Sequence, residues 1–256
     1  MTRQPKILLV NDDGIQDAGL RYLWELLHPH ADLTIVAPAA EKSGAGTSIT
    51  MYHPLHVRKV EWPENTPAYS VSGTPADCVK LALGELLPQP PDYVFSGINK
   101  GTNQGRNVFY SGTVGGAIEG ALRHIPSVAL SCRFEHSPDY SAADDVTLPI
   151  LNFLHDHPLR PGTLLNVNLP AQHPIKGLRL ARQGDSFWRE TPDRRTHPGG
   201  WNYYWLGGEH AETDEHEESD VHLLEQGYAT AVPIRVTELT CHDTLDTHRT
   251  HFNNLI

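Results

Sequence analysis

The chain reads as an α/β protein with a doubly wound, mostly parallel sheet and a β-rich C-terminal extension. Up to Asn168, short apolar runs alternate with segments of helical period, the pattern of repeated β-α-β units. The runs Ile7–Val10 and Leu33–Ala37 have no polar alternation, as expected of strands covered on both faces. From Gly177 onward the pattern changes to short alternating runs separated by polar, His-rich and acidic stretches. The expected division is an α/β core over 1–175 and a β extension and oligomerisation arm over 176–256.

The first strand, Lys6 to Val10, ends in Asn11-Asp12-Asp13-Gly14. Asp17 is suited to cap a helix whose apolar positions Leu20, Leu23, Trp24 and Leu27 follow the i, i+3, i+4, i+7 spacing, with Pro29 closing it. Leu33 to Ala37 is a second strand, parallel to the first, and it runs into a polar loop from Pro38 to Thr50. Tyr52 to Ser72 reads as a hairpin or extended structure. Thr74-Pro75-Ala76-Asp77 supplies an N-cap, a proline at N1 and an acid at N3, which together open a helix. Asp92 to Phe95 is the next strand, and Ser96 to Gly105 is read as a loop because it is rich in Gly and Asn. A helix from near Thr113 should bury Val114, Ile118, Ala121, Leu122 and Ile125. Ser127–Ser131 is a strand, Ala143 to His157 mostly helix, and Thr163–Asn168 a strand. In the last third, Leu178–Ala181, Trp201–Leu206 and Tyr228–Val236 read as extended runs, and Glu209 to Asp220, with seven acids and no Lys or Arg, as a solvated loop.

Composition narrows the function. A chain of 256 residues, 39% hydrophobic and 20% charged, can bury a substantial core. The net charge of −11 argues against binding a nucleic-acid duplex, which relies on a basic surface. Cys78, Cys132 and Cys241 are odd in number and lack a CxxC pair, so a reducing compartment is expected. The N-terminal apolar run is too short for a signal peptide or a membrane span. The expected setting is cytoplasmic, without a membrane partner.

In a parallel sheet the carboxyl ends of the strands share one rim, so Asp12-Asp13, Ser43 and Asn99 should meet there. Two adjacent carboxylates repel unless a cation lies between them. An all-oxygen donor set suits a hard ion, Mg²⁺ or Mn²⁺. The helix opening after Ser111-Gly112-Thr113 would aim its amide groups at the same rim, a natural anion site. Together these features suggest metal-assisted phosphoryl transfer. Residue by residue, plainer roles are equally available: a turn for Asn-Asp-Asp-Gly, a loop hydroxyl for Ser43, helix caps for Ser111 and Thr113. The P-loop pattern, the GxSxG elbow and the HExxH helix are absent, and Gly44-Ala45-Gly46 lacks the third glycine of a dinucleotide fingerprint. The tail Cys241-His242, His248 and His251 reads as an exposed loop rather than a zinc site, and Asp144-Asp145 as a favourable helix start. Two rival classes remain: a non-catalytic phospho-ligand sensor using the same metal pocket, and a nicotinamide oxidoreductase, disfavoured by the missing fingerprint.

The segments ILLVNDDGI at 7–15, VAPAAEKSGAGTSIT at 36–50, VSGTPADCV at 71–79, FSGINKGTNQGRNVFYSGTVGGAIEGA at 95–121 and EQGYATAVPI at 225–234 closely resemble the SurE family of survival-protein nucleotidases. The resemblance implies a Rossmann-like core whose C-terminal β extension exchanges arms in homodimers or homotetramers. It implies a phosphatase acting on nucleoside 5′- and often 3′-monophosphates, with one divalent metal ion per subunit. The family's metal positions fall on Asp12, Asp13, Ser43 and Asn99. Asp12 and Asp13 are then the expected catalytic pair, and Asn11, Asn103, Ser111, Gly112 and Thr113 the expected substrate contacts. The nucleophile is either water beside the metal or a carboxylate of the pair. Arg106-Asn107 stands where many members carry an acid, and Glu209 to Asp220 is longer and more acidic than the family pattern.

Overall fold

A computed structural model describes residues 3–134, 138–211 and 213–255. The first β-α-β unit forms as its pattern dictates: β1 (Lys6–Val10), α1 (Ala18–Leu27) and β2 (Asp32–Pro38), with β1 parallel to β2. Asp17 caps α1 by accepting the Gly19 amide at 2.7 Å, and Leu20, Leu23, Trp24 and Leu27 form its buried face. The next segment is the expected hairpin, β3 (Val57–Val60) antiparallel to β4 (Ala68–Val71), and β4 lies parallel to β2. The helix α2 (Pro75–Leu81) opens with a complete capping box between Thr74 and Asp77, then widens into a π-helical turn over Ala82–Leu86.

The strand β5 (Tyr93–Lys100) is longer than its apolar run predicts, and this corrects the reading of Ser96 onward as loop. Ser96 to Ile98 are buried, and the strand is held by β1 on one side and, through a bulge between Ser96 and Asn99, by a parallel partner on the other. The first neighbour pairs as far as Ser96, and beyond the bulge the other partner alone holds Asn99 and Lys100, which outweighs the poor strand propensity of Asn. That partner is β6 (Ser127–Cys132), reached through α3 (Gly112–Leu122). On α3 the small residues face inward. Gly116 meets Val10 and Ser96, Gly120 meets Val94 and Ser127, and Leu122, expected inside, is exposed. The helix α4 (Thr147–Asp156) starts later than expected, after a 3₁₀ turn at Ser141–Ala143. Asp144 and Asp145 therefore precede it, accepting from the Tyr22 hydroxyl at 2.7 Å and pairing with His173 at 3.2 Å.

After β7 (Thr163–Leu169) come β8 (Leu178–Leu180), β9 (Trp188–Thr196), β10 (Asn202–His210), α5 (Asp220–Glu225), β11 (Ala229–Arg235) and α6 (His242–Asn253). The main sheet has nine strands in the order β3-β4-β2-β1-β5-β6-β7-β11-β8, antiparallel only at β3-β4 and β7-β11. The fold is therefore a doubly wound, mostly parallel α/β sheet with a separate β9-β10 hairpin. Alternate residues of β1 point to opposite faces. Ile7 and Leu9 join α1 and α4 in one core, and Leu8 and Val10 join α2 residues Cys78 and Val79 in the other. The tail from His242 forms an exposed helix with no buried residue, where the sequence reading has a loop. The strand β9, interrupted by Pro192 and carrying three arginines and two acids, has no alternation that betrays it; it exists through its pairing with β10. Asp220, expected in a solvated loop, is fully buried.

Candidate metal and phosphate site

The chain enters the sheet at β1, builds outward through β2 and β4, then returns to place β5 on the other side of β1. Strand order reverses between β1 and β5, and crevices beyond the carboxyl ends at such a switch point bind ligands. Asp12-Asp13 follow β1 and Asn99 sits near the end of β5, so both flank that crevice. A cleft of about 510 Å³ opens there, and Asp12, Ser43, Asn99, Asn103 and Ser111 all line it.

The loops are tied to one another by main-chain bonds. Ile15 donates to the Pro38 carbonyl at 2.8 Å and Lys42 to the Asp12 carbonyl at 2.7 Å, fixing the loop after β2 against the loop after β1. The Gly46 amide donates to the Tyr110 carbonyl at 3.0 Å. A β-carbon on Gly115 would collide with the Gly46 carbonyl oxygen, so this contact of α3 with the Ser43 loop requires glycine. Gly112 has the same role toward Asp12: a β-carbon there would stand 2.8 Å from Asp12 Cβ and 2.9 Å from its Oδ2. The Lys100 amide approaches Asp13 Oδ2 at 3.4 Å, and the Lys100 ammonium pairs with Asp17.

The hydrogen-bond donors of this group are engaged away from its free oxygens. Thr113 donates its hydroxyl to Asp12 Oδ1, leaving Oδ2. Asn99 donates its amide to the Gly101 carbonyl at 2.7 Å, which leaves its oxygen as an acceptor. Ser43 donates to Glu41 Oε1 at 2.6 Å, so its lone pairs remain. Burial raises the Asp12 carboxyl above its ordinary value, partly opposed by the Thr113 hydrogen bond. Burial, then the charges of Asp12 and Asp17, push Asp13 up to about 6. Oxygen acceptors without competing donors, next to two carboxyls that resist ionising together, form a donor set that fits a hard divalent cation.

The remaining predicted residues fall into two groups. Ser111 is the N-cap of α3, accepting the Val114 amide at 3.1 Å, and it faces the cleft. Asn103 lines the cleft but donates its amide to Ser131 at 2.7 Å, and its backbone is held by Asn168 and Asn166. Asn11, Asp13, Gly112 and Thr113 are not part of the lining; Asn11, Gly112 and Thr113 are buried and Asp13 is half-buried. Asn11 uses both ends of its amide on Gly14, and Thr113 sits beneath Asp12. The cleft also takes Lys100, Asn107 and Tyr110, together with Trp188, Glu190 and Leu206 from the hairpin; of these the sequence marked only Asn107, as half of the Arg106-Asn107 departure. Lys100 and Tyr110 directly adjoin Asn99 and Ser111, a signal that was available. The hairpin residues lie far away in sequence and gave none. Arg106, noted as a departure, pairs with Asp185 at 3.3 Å and lies over the Phe187 ring.

Among the described residues no group of three or more His, Cys, Asp or Glu is placed to hold a metal ion. No helix among them is long and apolar enough to cross a membrane.

The sequence model described as Survival protein SurE matches residues 7–190. A protein named 5′-nucleotidase SurE from Protochlamydia amoebophila is 46% identical over 260 residues, covering 100% of both chains. Another of that name, from Symbiobacterium thermophilum, is 44% identical over 94% of this chain and 95% of its own. The crystal structure of the SurE protein from Aquifex aeolicus aligns with a TM-score of 0.82 at 34% identity, over 97% of this chain and 100% of that one. With the family model matching most of the chain and relatives of 44% and 46% identity spanning nearly all of it, the chain belongs to the SurE survival-protein family.

Proposed function

We propose that the protein is a metal-dependent phosphomonoesterase that hydrolyses nucleoside 5′-monophosphates, and nucleoside 3′-monophosphates as well, to nucleoside and phosphate. The observation that carries this reading is one cleft holding Asp12, Ser43 and Asn99 beside the N-terminus of α3. Relatives named 5′-nucleotidase SurE, similar over the whole chain, support it.

Asp12, Asp13, Ser43 and Asn99 would hold one divalent ion per subunit, Mg²⁺ or Mn²⁺. When bound, it offsets the charge of the phosphate and of the carboxylate pair. Ser111, Gly112 and Thr113 open α3, whose first amides and dipole favour an anionic oxygen, with Asn103 in the wall and Asn11 holding the turn at Gly14 that carries the carboxylate pair. Water is consumed overall: its oxygen ends on phosphorus, and its protons pass to the leaving nucleoside oxygen and the released phosphate. Asp12 or Asp13 either attacks phosphorus directly or takes the proton of the attacking water. Rapid quench separates the two routes, since only the first yields a phospho-aspartate.

The exposed aromatic residues of the hairpin, Tyr203, Tyr204 and Trp205, support a homodimer or homotetramer joined through the arm 176–256. The free thiols Cys78, Cys132 and Cys241 are consistent with a cytoplasmic setting.

The test is phosphate release from nucleoside 5′- and 3′-monophosphates by metal-stripped protein with Mn²⁺ or Mg²⁺ restored. Turnover that needs metal and is lost in Asp13→Asn is the expected result. Metal and nucleotide binding without release from any substrate would replace it with a sensor.

A further inference from the structure

The register of the β9-β10 hairpin places Trp188, Glu190 and Pro192 opposite His210, Gly208 and Leu206. Side chains alternate along a strand, so all six positions share one face. Trp188, Glu190 and Leu206 of that face line the cleft that holds Asp12, Asn99 and Ser111. The indole is held in place from two sides. The His210 ring meets it edge-on, with centroids 5.5 Å apart, and a β-carbon on Gly208 would stand 2.5 Å from Trp188 Nε1. Glycine at 208 therefore lets the ring lie close over the neighbouring strand. Even so, Trp188 is 43% exposed and Leu206 78% exposed. An aromatic ring and, farther along the same face, a leucine are thus left uncovered at a cleft wall contributed by a different part of the chain from the acceptor cluster.

A phosphate alone would need only the Asp12 and Ser111 end. The cleft, at about 510 Å³, is of ligand size, within the range of about 300–1,000 Å³ typical of small-molecule sites. Every base has a π-face that stacks on an aromatic ring, whatever its hydrogen-bonding edge. Glu190, next on the same face, offers acceptor oxygens suited to the hydroxyl and amino donors of a nucleoside.

Building on the nucleotidase reading above, we propose that Trp188 is the nucleobase platform of this site, with Leu206 farther along the same face of the hairpin. The hairpin then sets preference for nucleotides over base-free phosphomonoesters, while the β1, β2 and β5 ends with α3 hold the phosphate. Trp188 acts in binding and selectivity, not in the chemical step.

The experiment compares adenosine 5′-monophosphate with ribose 5-phosphate, which lacks the base, at saturating Mn²⁺ on wild type, Trp188→Ala and Trp188→Phe. In Trp188→Ala the KM for the nucleotide should rise about tenfold or more relative to that for ribose 5-phosphate, with kcat for the nucleotide retained. Trp188→Phe, which keeps a stacking ring, should recover most of the difference. Equal changes for both substrates would make Trp188 a wall of the cleft only, and an unmoved nucleotide KM would remove it from recognition; either result overturns the platform while leaving the nucleotidase reading intact. Wild type that hydrolyses ribose 5-phosphate but no nucleotide would overturn both. Because the residue lies on an exposed hairpin, circular dichroism and thermal melting of Trp188→Ala should match wild type.

Discussion

Thr113 donates its hydroxyl to Oδ1 of Asp12, a bond that joins the first turn of α3 to the loop after β1. Both residues are buried, and the bond fixes which carboxylate oxygen remains free. Substituting Thr113 by valine keeps the shape and removes the donor. Groups that orient a metal-binding side chain typically matter by about 10–100-fold in affinity or activity. Thr113→Val should therefore lower Mn²⁺ affinity and turnover by that order, and Thr113→Ser should restore them. Calorimetric Mn²⁺ titration beside phosphate release checks this.

The contact between Gly115 and the Gly46 carbonyl seats the loop that carries Ser43. In Gly115→Ala the new methyl must displace that loop or shift α3. A misplacement of about 1 Å near a reacting group can cost on the order of a hundredfold. We expect kcat/KM to fall by that order while the far-ultraviolet spectrum stays native. Activity close to wild type would mean that the loop position is not critical.

Asp220 anchors the base of the hairpin region to the cleft. Its carboxylate accepts the Gly184 amide at 2.8 Å, the Val221 amide at 2.9 Å and the Gly105 amide at 3.1 Å. Alanine would leave the buried amides of Gly105 and Gly184 without a partner, at about 1–3 kcal/mol each. Urea denaturation should show Asp220→Ala destabilised by at least that much, and Asp220→Asn, which keeps one acceptor oxygen, destabilised less.

The capping box of α2 gives a pH-dependent contribution to stability. Burial alone would raise the Asp77 carboxyl, but hydrogen bonds from Thr50 and Thr74 outweigh it and hold it below the ordinary 3.8. A carboxyl lowered by folding stabilises the native state above its unfolded value and loses that contribution as pH falls through the folded one. At pH 7, Asp77→Ala should be less stable by about 1–3 kcal/mol. The gap between wild type and variant should begin to narrow as the pH drops below 3.8 and should not change between pH 6 and 8. Denaturant midpoints across this range provide the measurement.

Much of the architecture was legible because it is local. Unbroken apolar runs marked β1 and β2, spacing marked the buried face of α1, and Thr74-Pro75-Ala76-Asp77 marked the start of α2. The rule that parallel strands end at one rim brought Asp12, Ser43 and Asn99 to a single cleft before any coordinates. Tertiary partners decided the rest. Ser96 to Lys100 became strand because β1 pairs β5 as far as Ser96 and β6 holds Asn99 and Lys100 beyond the bulge, overriding the turn chemistry of Gly97 and Asn99. Strand β9, with Pro192 and its run of charges, has no core-facing period; pairing with β10 makes it a strand, and only the assembled fold brings Trp188 to the cleft. Local sequence encodes which backbone state a segment favours. Which distant surfaces meet depends on hydrogen bonds and packing that exist only once the sheet is assembled.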